Sequence, residues 1–156
     1  MKSTAYQYAL YLLSAQDYSE FKLRQKLRLK QFEAAEIDET LQKLIEKNYL
    51  REEEYKRLLA RRWIAKGYSD SMIKRRGEQE QLTFTSDELL ALRSDMDRSA
   101  EDTIGLLVQK KMRGREIPTD REAKQKLREK VSRFLISKGY GWDEVKKAVD
   151  MAMKPN

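Results

Sequence analysis

Apolar side chains recur at every third or fourth position along nearly the whole chain, and no segment alternates strictly between apolar and polar residues. Tyr55, Leu59 and Trp63, for example, follow one another at four-residue spacing. This spacing places apolar side chains on one face of an α-helix, whereas a half-buried strand needs a period of two. The sequence therefore predicts an all-α fold.

The apolar pattern restarts often enough to predict about nine helices, in three groups of three. We expect three tandem repeats, at approximately 4–49, 50–100 and 101–154, within a single domain that spans 1–156. Only 9% of the residues are aromatic and 38% are charged, which fits an elongated helical array better than a compact globule. Arrays of this kind bury the apolar face of each repeat against its neighbours.

Residues that cap helices support these assignments. Ser19 is suited to accept a hydrogen bond from the first turn of the second helix. Thr85-x-x-Glu88 and Thr119-x-x-Glu122 both fit a capping box, in which the two side chains satisfy free backbone N–H groups reciprocally. We therefore expect the sixth helix to follow Thr85 and the eighth to follow Thr119.

A short pattern recurs where the second helix of each group leads into the third. An aromatic residue is followed four positions later by Glu and then at once by an aliphatic residue. It occurs as Phe32, Glu36 and Ile37, as Phe84, Glu88 and Leu89, and as Tyr140, Glu144 and Val145. Recurrence at corresponding places indicates an internal repeat.

One three-residue phrase, Lys-Gly-Tyr, occurs at 66–68 and at 138–140, and Lys-Asn-Tyr occurs at 47–49. Gly and Asn adopt the left-handed backbone conformation that follows many helix ends. A lysine in the last turn also interacts favourably with the negative end of the helix dipole. We predict that the phrase ends helices at tight corners, with the tyrosine packing back onto the last turn.

Composition excludes several classes of enzyme. The chain has no cysteine and no histidine, so it can form neither a Cys/His zinc site, nor a Ser-His-Asp triad, nor a thiol nucleophile. No glycine-rich nucleotide-binding motif occurs either. We expect a protein that is not an enzyme and that has no metal and no cofactor.

The hydropathy pattern also bears on location. No run of eighteen apolar residues is present to span a membrane, and the first helix does not resemble a signal peptide. The absence of cysteine agrees with a reducing compartment. We therefore expect a cytoplasmic protein.

Positive charge is concentrated toward the end of the chain. The formal net charge is +7, and residues 101–156 hold 14 basic and 9 acidic side chains. A basic region of this kind favours a polyanionic partner or an acidic protein surface.

Two groups of cations are candidates for contact with such a partner. The first lies on the predicted fourth and fifth helices and comprises Arg57, Arg61, Arg62, Lys74, Arg75 and Arg76. The second lies on the seventh helix, the following loop and the eighth helix and comprises Lys110, Lys111, Arg113, Arg115, Lys124, Lys126, Arg128, Lys130 and Arg133. The alternative interpretation is a solvated face whose basic side chains cover the core with their aliphatic stems. Trp63 is expected in the core and not as a platform for base stacking.

Three segments together resemble the RecX family of regulators of the bacterial recombinase RecA. They are "ALYLLSAQDYSEFKLRQKL" at 9–27, "YLREEEYKRLLARRWIAKGYSDSMIKRR" at 49–76 and "KVSRFLISKGYGWDEV" at 130–145. The three segments occur in the family's order, and the resemblance covers essentially the whole chain.

The resemblance implies three tandem three-helix repeats in a curved, elongated monomer, with either handedness of the array open. It also implies that the protein binds in the groove of the RecA filament on DNA, and inhibits the recombinase, ATPase and coprotease activities of RecA. Roles in DNA repair, homologous recombination and the SOS response would follow.

Two other functions use the same cations. A non-specific nucleic-acid-binding helical module would bind single- or double-stranded DNA without a recombinase partner. A structural adaptor would bind an acidic protein. No side chain is placed to read base edges, so sequence-specific recognition of DNA is not expected.

Overall fold

The computed structural model describes residues 2–155, and within them it contains nine α-helices and no strand. The predicted all-α fold is therefore confirmed. The helices in chain order are α1 (Ala5–Ala15), α2 (Glu20–Leu29), α3 (Ala34–Glu46), α4 (Glu52–Ala65), α5 (Asp70–Glu78), α6 (Ser86–Asp95), α7 (Ala100–Met112), α8 (Arg121–Ser137) and α9 (Trp142–Ala152).

The helix starts confirm two of the three predicted caps. Ser19 accepts a hydrogen bond from the Lys22 N–H, and Thr85 forms a capping box with Glu88. The prediction for Thr119 is wrong, because α8 begins one residue later and Asp120 accepts from the Ala123 N–H at 2.8 Å. A carboxylate caps as well as a hydroxyl does and also interacts favourably with the positive end of the helix dipole.

The repeated phrase ends helices as predicted. Asn48, Gly67 and Gly139 all have left-handed backbone, with φ of 60°, 88° and 95°. At each corner the next residue, a tyrosine, donates its N–H to a carbonyl five residues back, and the Gly or Asn donates to a carbonyl three residues back. Both bonds together define the Schellman motif, which satisfies carbonyls left free at a helix end.

The tyrosines of these corners differ in burial. Tyr140 is 5% exposed, whereas Tyr49 is 53% exposed. The prediction that the tyrosine packs back onto its helix is confirmed for Tyr140, which shares a core cluster with Leu135, and stays a prediction for Tyr49. Left-handed backbone also occurs at Gln31, Gln81 and Asp97, which the sequence did not indicate.

The chain forms two compact units, which we describe separately. The first unit contains the chain up to Leu59 together with Glu78–Leu82. In it α1, α2 and α3, here called the first trio, pack on one another around a core of buried aliphatic side chains. The Glu36 carboxylate accepts a hydrogen bond from the Ala5 N–H at 2.9 Å and so joins α3 to the start of α1.

The second unit contains Ala60–Gly77 and the chain from Thr83 onward. In it α7, α8 and α9, here called the last trio, pack around a second aliphatic core. Trp63 is 8% exposed and meets the Phe84 ring edge-on, with 6.0 Å between ring centroids. The predicted core position of Trp63 is confirmed.

The first and last trios are equivalent in detail. Core residues stand at a constant separation in the sequence, so that each residue of α2 or α3 has a counterpart in α8 or α9. The pairs are Leu23 and Val131, Leu27 and Leu135, Ile37 and Val145, and Leu41 and Val149, and every member is at most 2% exposed. The internal repeat indicated by the sequence therefore extends to the buried side chains of both trios.

The curvature of the array and the boundaries of the three predicted repeats stay predictions.

No helix within residues 2–155 is both long enough and apolar enough to cross a membrane.

Candidate partner-binding surface

The two Lys-Gly-Tyr corners of the second unit are hydrogen-bonded to each other. The Tyr140 hydroxyl donates to the Gly67 carbonyl at 3.0 Å. The Ser69 hydroxyl donates to the Gly139 carbonyl at 2.7 Å, and the Ser69 N–H donates to the Lys138 carbonyl at 2.9 Å. The repeated phrase therefore positions two chain segments as well as ending two helices.

The close approach of these two corners explains why the phrase at 138–140 contains a glycine, Gly139. A Cβ added to Gly139 would lie 2.4 Å from the Ser69 hydroxyl oxygen and 2.6 Å from the Met72 Cβ. No side chain fits at that distance, and the φ of 95° also disfavours any residue with a Cβ. Removal from water raises the pKa of the buried Tyr140 hydroxyl to about 12; the Arg93 guanidinium opposes this shift, and the carboxylates of Asp70 and Glu144 add to it.

Arg93 supports one of the corners from inside the unit. It is 3% exposed, and its guanidinium donates to the Tyr68 carbonyl and to the Asp70 carboxylate, each at 2.9 Å. A longer bond, at 3.5 Å, reaches the Thr103 hydroxyl. A buried arginine is stable only when its donors are satisfied in this way.

Cations and aromatic rings alternate across the surface formed by these corners. Arg76 lies 4.5 Å from the centroid of the Tyr68 ring, and Lys138 lies 5.1 Å from the same ring. Lys138 is also 5.5 Å from the Phe134 ring, which Lys111 approaches at 4.5 Å. We call these five residues the cation–aromatic row. Attraction to the two rings holds the three charges close together despite their mutual repulsion.

A basic cleft of about 390 Å³ adjoins the row at Lys138. Lys66, Arg98, Lys110 and Lys138 line it, and none of the described residues around it is acidic. Among the ion pairs between described residues, none involves these four cations. An uncompensated group of cations in a concave surface concentrates positive potential and attracts anions.

The structure brings some of the predicted cations to this surface and engages others elsewhere. Arg76 and Lys111 belong to the row and Lys110 to the cleft. Arg128 pairs with Asp150, and Lys126 pairs with Glu122 at 3.3 Å, so their charges are partly neutralised. Lys74 donates to the Ser86 hydroxyl.

The remaining predicted cations lie outside both features. Arg57 belongs to the first unit, whereas Arg61 and Arg62 belong to the second, so the predicted patch on α4 is divided between units. The others point to solvent or are half-buried and comprise Arg75, Arg113, Arg115, Lys124, Lys130 and Arg133.

Three cleft residues were missed by the sequence prediction, namely Lys66, Arg98 and Lys138. A signal was present for two of them, because Lys66 and Lys138 are the lysines of the repeated phrase. The sequence predicts only that these lysines interact with the negative end of the helix dipole. No local sequence pattern indicates that the two corners lie against each other. Within residues 2–155 no group of three or more carboxylates is placed to hold a metal ion.

Comparison with known proteins gives consistent matches. A family model described as "RecX, first three-helix domain" matches residues 5–44. The regulatory protein RecX of Haemophilus influenzae (strain PittEE) is 31% identical over 150 residues, which cover 92% of this chain and 91% of that protein. The regulatory protein RecX of Mannheimia succiniciproducens is 33% identical over 144 residues, which cover 90% and 88%.

The fold is similar to that of a solved structure. The crystal structure of RecX from Lactobacillus salivarius superposes with a TM-score of 0.68 and covers 94% of this chain and 93% of its own. The sequence identity is 18%, so this match concerns the fold alone.

Proposed function

Because the chain belongs to the RecX family of regulatory proteins, we propose that it modulates the RecA recombinase, mainly as an inhibitor, by binding in the groove of the RecA–DNA filament. In this proposal it acts in the cytoplasm as a monomer, and it reduces the recombinase, ATPase and coprotease activities of RecA. The chain has no nucleotide-binding motif, so its effect on ATP hydrolysis is indirect.

The observation that supports this proposal most is the basic cleft with the adjoining cation–aromatic row. Lys66, Arg98 and Lys110 are free of carboxylate partners and converge with Lys138 on one concave surface. A filament on DNA carries the phosphates of that DNA along its length. Such a surface accelerates encounter with a cationic protein and makes the affinity fall steeply as salt concentration rises.

The test is inhibition of the ATPase and strand-exchange activities of the cognate recombinase by equimolar protein. Lys66→Glu with Lys110→Glu reverses two exposed cleft charges, and we expect about tenfold weaker inhibition and a shallower salt dependence. Lys26→Glu with Arg28→Glu reverses two exposed cations of the first trio and serves as the matched control. Arg57→Glu with Arg62→Glu tests the other predicted group. Unchanged recombinase activity with the parent protein would exclude the proposal.

A second candidate is a nucleic-acid-binding module that needs no recombinase. The absence of acidic residues from the described lining of the cleft favours it, because phosphates would meet no repulsion there. The proposed modulator binds filament-coated DNA far more tightly than naked single-stranded DNA. The module shows the reverse preference, so one binding comparison separates the two.

A further inference from the structure

A second surface, which shares no residue with the basic cleft, lies between α8 and α9. It is a groove of about 480 Å³ with the aliphatic Val149 among the residues that line it. Ile136 and Trp142 also line it and are 44% and 64% exposed. Arg133 of α8 and Lys146 of α9 add one exposed cation from each helix. Exposed aromatic and aliphatic side chains beside cations are common at protein–protein contacts.

The fold does not require a tryptophan at this place. Trp142 is the first residue of α9, and the corresponding first residues of α3 and α6 are Ala34 and Ser86. In all three helices the residue before the first turn has extended backbone. In α6 and α9 the glutamate at the third helical position also accepts a hydrogen bond from the backbone N–H of that residue. Because a small residue starts two of the helices, Trp142 adds apolar surface that helix formation does not need.

At the equivalent place in the first trio an ion pair joins the two helices. There Arg24 of α2 pairs with Asp38 of α3 at 2.5 Å, across the two helices. The residues at the corresponding positions of the last trio are Ser132 and Lys146, which cannot form an ion pair. Ile136 likewise replaces an exposed arginine, Arg28. The last trio therefore lacks this ion pair and has two exposed apolar side chains, Ile136 and Trp142, at the same site.

We propose that the α8–α9 groove binds an acidic protein segment that carries a bulky apolar side chain. The apolar side chain inserts between Trp142 and Ile136, and acidic residues on either side of it contact Arg133 and Lys146. This is the helix-in-groove type of recognition, in which apolar anchors give affinity and rim charges orient the segment.

A protein segment fits the groove better than a nucleic acid does. Glu129 is among the lining residues and repels any anion, so the occupant of the groove itself is better an apolar side chain, which Trp142 and Ile136 can contact, than a phosphate. The charge of Arg128 is already used by Asp150, which leaves Arg133 and Lys146 as the available cations. The proposal does not depend on the recombinase, because it concerns a surface apart from the basic cleft.

The probe is a synthetic peptide of Glu and Asp with a central Leu-x-x-Phe pair, added to the full-length protein. Trp63 is buried and Trp142 is exposed, so a change in tryptophan emission on binding reports Trp142. We expect the emission to shift to shorter wavelength as the anchor covers the indole. The same peptide with both anchors replaced by Ser should give no shift.

Two variants test the site. Trp142→Ala, which copies Ala34, should weaken binding of the peptide by about tenfold or more, measured by calorimetry, without changing the melting temperature. Ser132→Arg with Lys146→Asp transfers the ion pair of the first trio and should close the groove with the same loss of affinity. Leu29→Ala removes another exposed apolar side chain, 81% exposed, and should leave binding unchanged.

Several results would overturn the proposal. They are no emission shift with the anchored peptide, equal binding of the serine peptide, or full affinity in the closed-groove variant. Tighter binding of a thymidine oligonucleotide than of the peptide would assign the groove to nucleic acid instead. Unfolding of Trp142→Ala would make Trp142 a structural residue. No recombinase is present in this assay, so its outcome is independent of the proposed function.

Discussion

The first and last trios share a fold but differ at equivalent surface positions. Gln31 stands where the last trio has Gly139, and Phe32 stands where it has Tyr140. Gln31 is exposed and adopts φ of 67° in spite of its side chain, whereas Gly139 lies against Ser69 and Met72. The equivalent buried residues of the two trios therefore account for their shared fold. The residue at each corner depends instead on which side chains pack against that corner.

The pairing of charged side chains also differs between the two units. In the first unit Lys22, Arg24 and Lys43 each pair with a carboxylate. In the second unit the cations of the cleft have no such pairing, and Lys138 and Lys111 lie over aromatic rings instead. The cleft therefore differs from the ion-paired surface of the first unit, although α8 and α9 also contain the pairs Arg128–Asp150 and Lys126–Glu122.

The largest effect is expected from exchanging the corner residues. Gly139→Gln should destabilise the protein by about 3 kcal/mol, because it adds left-handed strain and a clash with Ser69. Gly114→Gln is the control, since Gly114 has φ of 71° and no atom within 4 Å of an added Cβ, and it should cost about 1 kcal/mol. Gln31→Gly should stabilise by about 0.5 kcal/mol. Urea unfolding measures all three, and equal losses for the two glycine variants would disprove the clash.

A smaller effect is expected from the two arginines that pair with aspartates. Arg93→Met should cost about 2 to 3 kcal/mol, because Arg93 is buried and Tyr68 and Asp70 would lose its hydrogen bonds. Arg24→Met should cost less than about 1 kcal/mol, because the Arg24–Asp38 pair is largely exposed. Thermal unfolding of both variants checks the order, and similar losses would contradict the assigned burial.

The smallest effect is expected from Tyr140→Phe, which makes the corner resemble Phe32. The loss of the hydrogen bond to the Gly67 carbonyl should cost about 1 kcal/mol near neutral pH. The variant should also change the response to alkali. Burial raises the pKa of Tyr140 to about 12, so the folded protein keeps a proton that the unfolded chain releases near pH 10.

The sign of the pH dependence follows from this difference. The stabilisation linked to Tyr140 is fully present below about pH 10 and is lost as pH rises toward about 12. Tyr140→Phe should therefore lose less stability than the parent over that range. Unfolding free energies measured across it provide the check, and parallel curves would show that Tyr140 is not responsible.

Much of the fold could be predicted because its determinants are local. Four-residue apolar spacing defines the helices, and the Gly or Asn of the repeated phrase defines three corners. The prediction that Thr119 caps α8 was wrong because its neighbour Asp120 competes to accept the hydrogen bond from the first turn of that helix. The left-handed Gln31 could not be predicted, since glutamine carries no preference for that conformation.

The candidate surface was predictable only in part, because its pairings join distant segments. Arg128 meets Asp150 across two helices, and Arg93 becomes buried only where it reaches Tyr68 and Asp70. A sequence pattern gives the face of a helix that a cation occupies but not the carboxylate opposite. The convergence of Lys66 and Lys138 depended on the contact between two corners, which no spacing in the sequence indicates.

The cation–aromatic row has a consequence for control of the surface. Its charges belong to Arg76, Lys111 and Lys138. Acetylation of Lys111 or Lys138 would erase a charge and its attraction to the ring in one step.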